Sequence, residues 1–108
     1  MRAGIKPRVH LFVCENRRDG GGHGGVAEVS PLGPGCGAAG ERVTAQLKAF
    51  ATARGIVREV WVTKTRCLGL CPREGTTVAL YPRGQIFTEV LPTDCPALFA
   101  LAEKDAHA

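Results

Sequence analysis

The chain has 108 residues, 44% of them hydrophobic and 22% charged, with a net charge of +4. These proportions are those of a globular protein of one domain, spanning residues 1–108. Nothing approaches the ~18 continuous apolar residues of a membrane span. Arg2, Lys6 and Arg8 are not followed by the apolar segment of a secretory signal, so a cytoplasmic location is expected.

Val9 to Val13 reads as a short buried strand that runs directly into Cys14. The segment from about 15 to 35 holds Gly20-Gly21-Gly22-His23-Gly24-Gly25 and then Ser30-Pro31-Leu32-Gly33-Pro34-Gly35. Glycine and proline at this density predict a long loop, ending at Cys36. From Gly40 to Arg54, Val43, Leu47, Phe50 and Ala51 fall on one face of an amphipathic helix, and Gly55 suits a left-handed stop. Ile56 to Thr63 restores strand alternation, with Val60 and Val62 on one side and Trp61 on the other. Strand, helix and strand make a crossover unit with parallel strands.

Thr65-Arg66-Cys67-Leu68-Gly69-Leu70-Cys71-Pro72 follows, a compact loop with two thiols. Thr77 to Tyr81 and Gln85 to Val90 then flank Pro82-Arg83-Gly84, the pattern of an antiparallel hairpin. Thr93 is the expected cap of a closing helix, with Asp94 and Pro96 in its first turn and an inward stripe of Leu98, Leu101 and Ala102. Residues 105–108 are expected to fray. The fold class is therefore α/β: a β-α-β unit followed by a β-hairpin and a C-terminal helix.

Five cysteines are many for a compartment that keeps thiols reduced. There a cysteine cluster reads as metal-binding or catalytic rather than as a disulfide framework, and the odd count argues against complete pairing. Parallel strands joined by a crossover point their carboxyl ends the same way. Cys14 ends the first strand, Cys67 and Cys71 follow the second, and Cys36 shortly precedes the crossover helix. Four thiols thus gather at the sheet edge where open α/β sheets place ligands. Zinc and an iron–sulfur cluster both suit such a set. Structural zinc sites more often use cysteine pairs two residues apart. Here one pair has a three-residue gap and the other two cysteines come singly, which favours a cluster of two irons.

The residues His10 to Arg17, Gly35-Cys36-Gly37, Thr65 to Pro72 and Val78 to Gly84 resemble the thioredoxin-like [2Fe-2S] ferredoxins, over roughly Val9 to Glu103. The resemblance implies a thioredoxin-like fold with a mixed four-stranded sheet. It also implies a [2Fe-2S] cluster on Cys14, Cys36, Cys67 and Cys71, one-electron transfer and a homodimer. The family's first two ligands are closer together than Cys14 and Cys36 are here, so the glycine-rich run is an enlarged loop beside the cluster. The same arrangement recurs in a subunit of respiratory complex I. The expected function is a small soluble electron carrier between redox proteins, not an enzyme. An iron–sulfur redox sensor, an accessory subunit of a redox complex and a structural zinc-binding module are the alternatives.

The remaining candidates are weaker. Cys95, near the start of the last helix, matches no ligand of the family and reads as a small packed thiol; a redox-reactive thiol is the sharper alternative. His10 and His107 read as structural or exposed, and His23 as a loop residue rather than a substitute ligand. Arg17, Arg18, Lys64, Arg66 and Arg73 flank the ligands, where positive charge would raise the potential and steer an acidic partner. Leu68 and Leu70 are either a partner contact or a shield against water. Only six aromatic residues are present and no basic–aromatic stripe is visible, so neither nucleic acid nor membrane is an expected partner.

Overall fold

The computed structural model describes residues 1–15, 37–66 and 74–108. Four strands form one mixed sheet in the order β2-β1-β3-β4. They are β1 (Val9–Cys14), β2 (Val60–Thr65), β3 (Thr76–Tyr81) and β4 (Gln85–Val90), with the helices α1 (Gly37–Arg54) between β1 and β2 and α2 (Cys95–Ala106) after β4. The α/β class, the parallel pairing of β1 with β2 and the antiparallel hairpin of β3 with β4 are as the sequence predicts. β1 also pairs antiparallel with β3, which makes it central.

The strands follow from side-chain alternation. Val9, Leu11 and Val13 are fully buried on one face of β1, and period-two geometry puts His10 and Phe12 on the other. The strand read from the sequence as buried is thus wholly buried on one face and half-buried on the other, because both helices pack on a single face. Val43, Leu47 and Ala51 of α1 meet Leu98, Phe99 and Ala102 of α2 in one core with Val60, Val78 and Leu80. Each large apolar side chain buried there contributes about 1.5–3 kcal/mol. Phe50 and Phe99 tie the two helices with ring centroids 5.5 Å apart. The Arg54–Glu103 ion pair joins the same helices at the surface.

Three of the differences from the sequence reading have a visible physical cause. β2 begins at Val60 rather than Ile56, because the chain makes one more turn first. Gly55 takes φ +67°, the Ile56 N–H donates to Ala51 O, and Ile56 O accepts from Glu59 and Val60. Thr93 does not cap α2. It lies inside a 3-10 turn over Pro92–Asp94, where the Asp94 carboxylate accepts the Leu91 N–H at 2.8 Å. The C-terminus does not fray at residue 105: α2 continues through Ala106. Ala106 is buried, and Arg83 donates two hydrogen bonds to Asp105, at 2.9 and 2.7 Å. A side chain packed inward and a two-pronged charged contact hold the last turn in place.

Candidate metal centre

Cys14 is the last residue of β1 and stands in register with Thr65, the last residue of β2. Both strands run parallel, so this is the carboxyl edge of the pair. The Cys14 side chain is wholly buried, and its Sγ lies 3.0 Å from Arg66 O, to which the thiol donates. The described part of that segment ends at Arg66, and the next residue in sequence is Cys67.

The backbone of Cys14 is held from two further directions. Its carbonyl accepts a hydrogen bond from the fully buried Thr76 Oγ1 at 2.6 Å. The first turn of α1 presses on the same carbonyl: a Cβ placed on Gly40 would stand 2.0 Å from Cys14 O. Only glycine permits that approach. Glu15 extends the clamp, its N–H donating to Thr65 O at 2.9 Å and its carboxylate accepting from Thr44 Oγ1 at 2.7 Å. The amino end of α1, preceded in sequence by Cys36, is thereby joined to the end of β1. β1, β2, β3 and α1 all converge on one cysteine.

Of the four predicted ligands, Cys14 is described and takes the predicted position; Cys36, Cys67 and Cys71 lie outside the described residues, as do Arg17, Arg18, His23, Leu68, Leu70, Arg73 and most of the glycine-rich loop. Among the described residues no group of three or more His, Cys, Asp or Glu side chains is placed to hold a metal ion. Lys64 and Arg66 are exposed at the Cys14 edge. Gly40, Thr44 and Thr76 are the site residues that sequence reasoning missed. A glycine early in an amphipathic helix was the one available signal, since a helix interior disfavours it.

Cys95 belongs to a different environment. It is buried at the start of α2, and burial, with the Asp94 carboxylate adding to it, pushes its thiol up from 9.0 to about 11. A thiol shifted in that direction is almost wholly protonated at neutral pH, which favours a packing role over the activated alternative. His10 sits on the open side of the sheet, its Nε2 2.7 Å from Thr63 Oγ1 and its ring stacked on Phe12 with centroids 3.9 Å apart. It is a structural histidine, and His107 is exposed at the end of α2.

No family model and no curated protein matches the sequence. Solved structures do match the fold. The wild-type thioredoxin-like [2Fe-2S] ferredoxin from Aquifex aeolicus superposes with a TM-score of 0.72 at 22% identity, over 93% of this chain and 89% of that one. A cysteine-to-serine variant of that ferredoxin gives 0.65 at 24% identity, over 89% and 87%. The chain has a thioredoxin-like fold. The match covers most of this chain, and with it the sheet whose carboxyl edge holds Cys14. The described residues fit a thiolate-held cluster: a buried cysteine sulfur ends the central strand, and exposed cations stand beside it.

Proposed function

We propose that this protein is a one-electron carrier in which Cys14, Cys36, Cys67 and Cys71 would hold a [2Fe-2S] cluster. The observation that carries the reading is the convergence of two segments on Cys14. The end of β2 is continuous with Cys67, the start of α1 is continuous with Cys36, and both are fixed against the Cys14 main chain or thiol. A bound cluster would supply reversible one-electron redox chemistry through thiolate ligation.

The chain's own residues set the conditions for it. Burial of Cys14 keeps water from its sulfur. The Thr76 and Gly40 contacts fix the strand end, so the sulfur changes position little between oxidation states. Lys64 and Arg66 favour a more negative site and so raise its potential, and they offer positive charge to an acidic redox partner. The protein transforms no substrate of its own on this reading. It works in the cytoplasm, as its composition suggests, and pairs with a second copy, as the resemblance to the ferredoxins implies.

Purification under argon, followed by an absorption spectrum and iron and acid-labile sulfide analysis, tests the proposal. Broad visible bands bleached by dithionite, with iron and sulfide in equal amounts, are expected. A colourless protein carrying stoichiometric zinc would overturn it.

A further inference from the structure

Charge is unevenly distributed along this chain. Residues 84–103 hold Glu89, Asp94 and Glu103 but no Lys, Arg or His, in a chain with 14 Lys and Arg. Glu103 is paired with Arg54, while Glu89 and Asp94 are exposed. Asp94 takes the Leu91 N–H through one carboxylate oxygen, and a carboxylate has further acceptor capacity. The β4 side of the molecule is therefore acidic, in contrast to the exposed Lys64 and Arg66 at the end of β2.

The same side carries an edge of the sheet. β4 is the last strand in the order and pairs only with β3 among the described residues. Edge strands leave a row of backbone N–H and C=O groups without a sheet partner. Between β4 and α2 runs a groove of about 340 Å³, walled by Phe87, Val90, Ala97, Leu98 and Leu101, with Asp94 among its lining residues. Phe87 stands opposite the core residue Val78, so the groove opens on the helix side of the sheet. Glu89 follows the straight part of the strand, with φ +58°, where the register with β3 shifts. Gln85–Phe87 is left as a short regular edge beside the groove.

We propose that this groove docks an extended segment of a partner protein, one that carries a large apolar residue flanked by Lys or Arg. The segment adds to β4 along Gln85–Phe87, its apolar side chain enters between Phe87, Leu98 and Leu101, and its cations meet Glu89 and Asp94. In strand addition, main-chain hydrogen bonds give affinity and pockets for alternate side chains give specificity. Charge decides against the β4 edge of a second copy. A two-fold pairing there would bring two acidic rims together, with no cation in residues 84–103 to offset them. Val90 is in register with Thr76, whose hydroxyl holds Cys14 O. The groove thus ends at the same edge of the sheet as Cys14, two strand spacings or ~10 Å away. A segment seated there lies beside the proposed cluster, but its binding does not rest on that cluster.

A fluorescein-labelled peptide of alternating lysine and valine with a central leucine is a suitable probe. The chain as a whole is cationic, so saturable binding of a cationic peptide reports local rather than overall charge. Titration of the full chain should raise the peptide's anisotropy to a plateau. The same peptide with glutamate in place of lysine should not bind. N-methylation of its alternate backbone amides should weaken binding about 10-fold, the loss expected when main-chain hydrogen bonds are removed. The double variant Glu89→Gln, Asp94→Asn changes only exposed carboxylates and should weaken binding about 10-fold at low salt, with less salt dependence than wild type. Ala97→Arg, at an exposed position on the groove wall, should abolish it. Circular dichroism of each variant checks folding, and iron analysis of each sample scores the cluster separately. Absence of saturable binding, equal binding of the glutamate peptide, or indifference to N-methylation or to the variants would overturn the proposal. So would self-association that excludes the peptide and is lost in Arg2→Glu, Lys6→Glu, since the occupant would then be a second copy's amino-terminal segment.

Discussion

Cys14 and Cys95 are both wholly buried, and by burial alone they could not be told apart. Their surroundings differ. Cys14 ends a central strand, with the next strand's terminus beside its sulfur and a helix start against its carbonyl. Cys95 opens a helix that closes over the core, beside a carboxylate that further disfavours its thiolate. A metal-binding thiol has to be able to lose its proton, and a packing thiol gains nothing by doing so. Position at a strand's carboxyl end, not burial, is what distinguishes a candidate ligand here.

The sharpest way to break this contrast is to exchange each sulfur for oxygen. Cys14→Ser should lower the iron content of protein purified under argon and change its visible absorption. Loss of supporting contacts alone typically costs about 10–100-fold in metal affinity, so loss of a ligand sulfur should cost at least that. Cys95→Ser should leave both readouts at the wild-type level. If the two variants lost iron equally, the assignment of Cys14 over Cys95 would fail.

Gly40 tests whether the clamp on Cys14 matters as much as its sulfur. With a Cβ 2.0 Å from Cys14 O, Gly40→Ala must move either α1 or the end of β1. The expected loss of stability is at the upper end of the ~1–3 kcal/mol typical of overpacking, against the small gain in helix propensity that alanine brings at an unobstructed position. Urea denaturation of the variant measures the difference. A neutral or stabilising result would mean that α1 is not fixed to Cys14.

These contrasts show how unevenly the sequence discloses the molecule. Helix α1 and the strand pairing were legible because Val43, Leu47 and Ala51 repeat at helical spacing and because glycine and proline punctuate the hairpin. Cys14 was legible as a site residue from its place at the end of an apolar run. The Thr76 hydrogen bond to Cys14 O was not, since it joins residues 62 apart and a threonine at a strand's start looks like any β-branched residue. The extra turn at Ile56 was missed for a related reason: Ile56 packs on the core, so hydrophobicity alone gave it the look of a strand residue.

A smaller effect is expected at Cys95 itself. Cys95→Ala removes a buried sulfur and should cost about 1 kcal/mol. It should also alter the alkaline limb of the stability profile. The folded thiol titrates at about 11, above the ordinary 9.0, so its contribution is fully present below pH 9 and is lost as pH rises toward 11. The variant should therefore show a flatter decline over that interval in urea midpoints measured against pH. An unchanged slope would place the thiol in contact with water despite its burial.

The smallest effect is at the end of α2, where the frayed terminus expected from the sequence is replaced by the Arg83–Asp105 contact. Arg83 beside it holds the Asp105 carboxyl below its ordinary value of 3.8. The stabilisation is therefore present above that value and is lost as pH falls through the lower value of the folded state. Both side chains remain in contact with solvent, so salt should weaken the interaction further. Asp105→Asn should leave the core and the Cys14 edge untouched while speeding amide exchange in the last turn of α2 at pH 7, with the difference from wild type narrowing below about pH 4. Should the last turn exchange equally fast in both proteins, burial of Ala106 alone would be holding the helix end.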